Sequence, residues 1–337
     1  MFFYIIRRLI AVVIMLFVIS MTTFLVFYAG PDDPARLTCA KNCTPAVIAA
    51  NRHAFGFDKP IATQYTDFVK GLVSERKFPD DPAQEKAAPQ TITHCAAPCL
   101  GYSFVRQQPV TAMIKQGLPI TVSLAVGAFV IWIVVGVTSG CIAALNRGTF
   151  IDRTIVGAAL IGFSLPSFFI GLLLLTFVAI RWQLVPIPEF VPFTENPALW
   201  AQNLILPWIT LAAIFAASYV RLTRAYMLET MSEDYIRTAR AKGVKENKVI
   251  RRHGLRAALT PIVTAAGLDL GGLLGGAVIT ESVFGLNGLG RMAVQAVVQT
   301  DLPMIVALVL VAAAFVVIAN LVVDVLYGVI DPRVRLS

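Results

Sequence analysis

The chain has 337 residues, of which 57% are hydrophobic and only 14% charged. Soluble domains carry about 25% charged residues, and one core cannot hide this much apolar surface. A soluble globular fold is therefore excluded and an integral membrane protein indicated. The net charge of +8 comes without an aromatic-basic platform or a known reading module, which argues against nucleic acid as a partner.

Six stretches offer the roughly 20 mostly apolar residues that a membrane helix needs. The first, 9–28, follows Arg7 and Arg8. Its apolar run exceeds the ~7–15 residues of a signal-peptide core, so it is expected to persist as the first transmembrane helix, in a unit spanning 1–30.

The segment 31–115 is rich in Pro, Ala, Asp and Lys and too long for a simple connection. It is expected to form a small extracytoplasmic domain with short helices, such as 63–72. Four of the five cysteines lie here, as Cys39-x3-Cys43 and Cys95-x3-Cys99. An oxidising compartment favours disulfides, and all three connectivities stay open. A metal site beside His94 is the competing reading. Cys141 falls in a span and reads as a small packing residue.

Residues 116–337 hold the other five spans, at 118–145, 154–180, 204–220, 260–279 and 304–328. With the N-terminus inside, sixteen Lys and Arg fall on the inner segments, while the short outer loops hold only Arg181 and Arg291. This asymmetry places both termini in the cytoplasm. The long 31–115 segment is left out of that comparison, because long loops translocate regardless of charge.

The most informative segment is the cytoplasmic loop 226–259. Ile236, Ala239 and Gly243 fall at helical spacing, while Arg237, Arg240, Lys242 and Lys245 cover other faces. The pattern predicts a short amphipathic helix, a hinge at Gly243 and a second short helix over 244–252. Such an element can dock on a soluble partner or lie as a basic strip on anionic membrane lipid. Periodicity alone does not choose.

In the fifth span Gly267, Gly271 and Gly275 are spaced by four, as are Gly272 and Gly276. Small residues at this spacing let helices approach closely. Asp269 lies among them. An ionisable group there is costly unless paired or wet, so it is expected to face a cavity or a partner. Glu281 and Asp301 flank the following outer loop and are expected to shape it. Asp324 lies near the inner end of the last span.

At Tyr235-Ile236-Arg237-Thr238-Ala239-Arg240-Ala241-Lys242-Gly243 the sequence resembles the cytoplasmic loop of ABC importer permeases of the dipeptide/oligopeptide branch. Ala239 and Gly243 match the permease motif, while Arg237 and Thr238 replace its Glu and first Ala. Leu255-Arg256 stands where Leu-Pro is usual. Both departures resemble the peptide branch rather than the sugar branch. The order of further pieces is similar too: Arg7-Arg8-Leu9, Pro31-Asp32-Asp33-Pro34, Gly56-Phe57-Asp58-Lys59-Pro60, Gly101-Tyr102-Ser103-Phe104, Tyr219 to Arg224, Glu281-Ser282-Val283-Phe284 with Gly288-Leu289-Gly290, Asp301-Leu302-Pro303, and Asn320, Asp324, Tyr327 with Asp331-Pro332-Arg333. The 83–98 stretch looks like an insertion.

The resemblance implies an all-α integral membrane protein of the bacterial cytoplasmic membrane, with six transmembrane helices, both termini cytoplasmic, and an extracytoplasmic domain between helices 1 and 2. It implies that Tyr235, Arg237, Ala239, Arg240, Lys242, Gly243 and Glu246 form a coupling loop seated in an ATPase cleft. Asp269, Gly271, Gly275 and Glu281 would line the translocation path or a permease-permease seam. Expected partners are a second, different permease chain, two ATPase subunits, an extracytoplasmic substrate-binding protein and a peptide. No cofactor is expected on this chain, with ATP and Mg on the ATPases.

No G-x4-G-K-[ST] phosphate loop is present, so the chain reads as a transport subunit and not an enzyme. The cargo expected is di- or oligopeptides, with glutathione, haem or a nickel chelate as the alternative. An intramembrane protease fits poorly. His53, His94 and His253 lie outside the spans, and Gly267-Leu268-Asp269 departs from a G-x-G-D signature. A stand-alone carrier would leave the charged loop without a purpose.

Overall fold

The computed structural model describes residues 2–28, 34–37, 44–80 and 88–330. Cys39, Cys43 and the tail from Asp331 lie outside the described residues, as does part of the 83–98 stretch. Helix α1 (Phe2–Tyr28) exposes most of its apolar surface, as a lipid-facing helix does. One edge, with Ser20, Thr23 and Phe24, is buried, and the helix packs along the last helix of the chain.

The next segment is small and mixed. Helix α2 (Pro45–Ala54) starts at Thr44, whose hydroxyl accepts from the Val47 amide. Helix α3 (Ile61–Gly71) overlaps the short helix expected at 63–72, starting two residues earlier and ending one residue earlier. Strands β1 (Arg76–Phe78) and β2 (Thr93–Cys95) pair antiparallel, as do β3 (Tyr102–Ser103) and β4 (Gln108–Pro109). A disulfide joins Cys95 to Cys99.

Helix α4 (Val110–Leu145) and helix α7 (Pro197–Ser232) each run 36 residues. At 1.5 Å per residue each is about 54 Å long, well beyond the ~30 Å hydrocarbon core. The sequence pattern finds only their most apolar parts, 118–145 and 204–220, because the polar ends remain helical outside the lipid. The pair forms the largest helix contact, and close approach requires glycine. A Cβ on Gly136 would lie 2.5 Å from Tyr219 Cβ, and one on Gly140 would lie 2.7 Å from Thr223 Cβ.

Between them the third span is not one rod. Helix α5 (Phe150–Ser164) and helix α6 (Ser167–Arg181) are bent 97° apart. The break follows from Pro166. A proline lacks the N–H that would continue the ladder and drives the residue before it out of the helical region. Leu165 accordingly sits at φ −88°, ψ 130°.

Helix α8 (Asp234–Ala241) follows α7 directly. Helix α9 (Glu246–Leu274) begins before the expected span 260–279, because the second short helix expected at 244–252 merges into it through a π-helical stretch, Val249–Gly254. It ends before Gly276, whose φ of +135° turns the chain. Val278 and Ile279 thus belong to helix α10 (Val278–Val283). Helices α11 (Leu289–Val298) and α12 (Leu302–Ile330) complete the chain.

Among the described residues five helices are long and apolar enough to cross a membrane, or six if α5 and α6 count as one span. The main core lies among α4, α7 and α9, centred on Trp132, Leu124, Leu204, Tyr219 and Ile262.

Candidate functional site

The polar loop is ordered by its backbone. Helix α8 ends in a Schellman motif. The Val244 amide donates to the Ala239 carbonyl at 3.2 Å, and the Gly243 amide to the Arg240 carbonyl at 2.9 Å. This closure needs a positive φ at Gly243, which adopts +73°. Nothing lies within 4 Å of where its Cβ would be, so the backbone and not crowding demands glycine.

Across this turn Arg240 grips Glu246 with two N–H groups, at 3.1 Å from Nε and 2.7 Å from Nη2. The carboxylate raises the Arg240 pKa further. Both side chains are about half exposed, so water screens the pair and it mainly fixes the loop's shape.

Ile236 is the anchor, fully buried where α8 lies against the end of α7 and the 249–254 turn. Ala239 is half-buried, while Tyr235, Arg237, Lys242 and Gly243 are exposed. Arg237 pairs locally with Asp234 at 3.3 Å. The result is a helix pinned by one face, with aromatic and basic groups on the other.

Behind the loop lies an ion pair that sequence reasoning missed. Arg224, on α7, donates to both oxygens of Asp152 on α5, at 2.7 and 2.8 Å. The Gly148 amide donates to the same carboxylate at 2.9 Å, and Asp152 is buried. A signal existed. Thr149 caps α5 and Asp152 stands three residues on, the spacing of a capping box.

In α9 the three aligned glycines face the chain's own last helix. A Cβ on Gly267 would meet Val323, one on Gly271 would meet Ala319, and one on Gly275 would meet Ala312. The open face is elsewhere. Leu268 is exposed, and Gly272 has nothing within 4 Å of its Cβ position. Asp269 is partly buried and accepts a 2.6 Å hydrogen bond from the Tyr219 hydroxyl. The side chain of Asp324 lies outside the described residues.

Glu281 is fully buried. Its Oε1 accepts from the Thr121 hydroxyl at 2.8 Å and the Ala277 amide at 3.2 Å. Its Oε2 accepts from the Arg291 amide at 2.8 Å. Thr121 Oγ1 in turn accepts from the Leu289 amide at 2.8 Å. The carboxylate thus caps the first turn of α11, where helix amides and dipole favour negative charge. It ties α10, α11 and α4 together. Gly288 leaves room for it, since a Cβ there would sit 2.5 Å from the carboxyl carbon. Sequence reasoning placed Glu281 beside this loop, but Thr121 was invisible as its partner.

Asp301, at the foot of α12, accepts a hydrogen bond from the Ser103 hydroxyl. Its burial pushes the carboxyl pKa up, against the opposing Ser103 hydrogen bond. Of the candidate disulfide residues, Cys95 and Cys99 are bonded to each other. Among the described residues no group of three metal-binding side chains occurs.

Comparison with known proteins gives a consistent result. Residues 136–336 match the family described as binding-protein-dependent transport system inner membrane component. Residues 1–125 match the corresponding N-terminal family. A putative peptide transport system permease protein of Brucella abortus is 36% identical over 98% of both chains. A glutathione transport system permease protein of Escherichia coli is likewise 36% identical over 98% of both. The dipeptide transport system permease protein of Escherichia coli K12 is 34% identical with the same coverage. Among solved structures, a chain of the MetNI methionine ABC transporter, in a set of inward-facing conformations, aligns with a TM-score of 0.50. The identity is 21%, over 66% of this chain and 97% of that one. At that identity the likeness concerns the fold alone.

Proposed function

This chain belongs to the binding-protein-dependent transport system inner membrane components, and from that membership we propose that it is one permease subunit of an ATP-driven importer of peptides. What carries the reading is the full-length similarity to peptide and dipeptide transport permeases, with both family segments in the expected order.

In this reading both termini are cytoplasmic and the 31–115 segment is extracytoplasmic. Helix α8 seats in a cleft of a separate ATPase subunit. Exposed Tyr235, Arg237 and Lys242 meet that subunit, while Ile236 holds α8 to the membrane core. ATP and Mg bind on the two ATPases. Closure of the ATPase pair pushes α8, and the helical bundle rocks from inward-open to outward-open. A second, different permease chain packs on the open Leu268–Gly272 face of α9, and the path lies near Asp269. A substrate-binding protein delivers peptide to the opposite side. Because an equally similar relative is named a glutathione transport permease, glutathione is the alternative cargo to peptides.

The test is purification of the tagged chain in mild detergent, with mass spectrometry and an ATPase assay. Co-purification of a second permease and ATPase subunits, with hydrolysis raised by a binding protein and peptide, supports the reading. A folded chain recovered alone, without hydrolysis, overturns it.

A further inference from the structure

The segment between α1 and α4 encloses a cleft against the last turn of α1 and the first turn of α12. Its walls are aromatic. Ring centroids of Phe55 and Phe104 are 4.4 Å apart, and those of Phe57 and Phe104 are 5.8 Å apart. Phe78 and Tyr102 stack at 5.5 Å on the other side.

Arg76 lies in this cleft with its guanidinium 4.8 Å above the Phe78 ring. Its stem packs on Gly71, where any side chain would collide with it. Burial pulls the Arg76 pKa down, so the charge is held there at a cost. Asp67 and Asp80 attract it from nearby, but both engage Lys59, at 3.6 and 2.9 Å. Among the described residues no carboxylate, carbonyl or hydroxyl accepts a hydrogen bond from Arg76. A guanidinium carries five donors in a planar fork suited to a carboxylate.

Cavity size narrows the ligand. The cavity volume is ≈ 50 Å³, where one water needs about 10–15 Å³. That admits a carboxylate group and little more, leaving an attached side chain on the aromatic rim. Charge narrows it again. A cation would face the guanidinium, and a dianionic phosphate would crowd Asp67 and Asp80, so a single negative charge fits best.

We propose that this cleft is a carboxylate-binding site for a small ligand with an apolar side chain. The carboxylate seats on the Arg76 fork, and the side chain lies on Phe55, Phe57 and Phe104. The site stands apart from the coupling loop and from α9, and it does not depend on the transport reading.

The experiment is calorimetric titration of the full chain, purified in detergent, with N-acetyl-phenylalanine and with its amide. Saturable binding of the acid is expected, weakened by about tenfold or more in the amide, as loss of one charge-assisted hydrogen bond implies. R76Q should lose the preference for the acid while melting as the wild type does. If R76Q fails to fold, the acid-versus-amide comparison on the wild type decides. Equal binding of acid and amide, or no saturable binding through the millimolar range, overturns the site. Tighter binding of N-acetyl-aspartate methylamide than of N-acetyl-phenylalanine overturns the small-ligand assignment, since it points to an acidic side chain of a docked protein. A negative result leaves family membership untouched.

Discussion

Thr121 and Glu281 stand 160 residues apart in sequence and are joined by a 2.8 Å hydrogen bond in the interior. The Thr121 oxygen is used twice, donating to Glu281 and accepting from the Leu289 amide. One hydroxyl therefore couples α4 to both the carboxylate and the helix that the carboxylate caps.

Removing that carboxylate leaves the Thr121 hydroxyl and the Ala277 and Arg291 amides without acceptors. E281A is expected to destabilise the chain by about 3 kcal/mol, the order of cost for stranded buried polar groups. E281Q should also destabilise, though less, because its amide nitrogen sets a donor against donors. Thermal melting in detergent reads both. An E281A protein that melts with the wild type would remove the capping role.

Gly243 faces two separable demands. G243A forces a side chain into left-handed backbone and should cost roughly 1–2 kcal/mol locally. G243P also removes the amide that bonds Arg240 and cannot adopt the required φ. Uptake is expected to fall modestly for the alanine and to vanish for the proline, with both inserting normally in the membrane. Uptake by G243P at the wild-type rate would sink the coupling assignment of this loop.

Asp152 and Arg224 form a two-pronged ion pair, so their coupling is testable by a double-mutant cycle. D152N and R224Q should each lower the melting temperature. The double substitution D152N/R224Q should lower it by less than the two singles added, because the second change removes a charge already stranded. Strictly additive losses would mean that the two side chains do not act on each other.

Asp301 sets a pH dependence with a definite sign. Its folded pKa is raised above 3.8, with burial as the first cause. The folded chain then holds that proton more tightly than the unfolded chain does. The contribution to stability is full below about pH 3.8 and is lost as pH rises through the higher folded value. D301N should remove this term, so its melting temperature relative to the wild type should rise between pH 4 and pH 7. A pH-independent difference would show that the carboxyl does not titrate abnormally.

The transmembrane plan was legible because apolar runs of this length have few other meanings. Helix ends were not, since Val110 to Gly117 and Arg221 to Ser232 are polar enough to leave the bilayer while staying helical. The 97° break at Pro166 carried a local signal, Ser-Leu-Pro-Ser, yet hydropathy averages over such a residue. In the loop, Gly243 was legible as a special position, and the Schellman closure supplies its reason. Tyr219 with Asp269, and Arg224 with Asp152, were not legible as pairs. Each joins helices far apart in the chain, and a single sequence contains no record of which distant partner satisfies a polar group.

The glycine contacts between α4 and α7 have a mechanical meaning. Thr223 Cβ and the Val220 carbonyl would each lie within 2.8 Å of a Cβ on Gly140, so the two helices are seated backbone to backbone. A side chain added at Gly140 or Gly136 would therefore force the two helices apart. The close seating favours the two long helices moving as one beam, which leaves the elbow at Pro166, where the helical ladder is already broken, as the place for a bend.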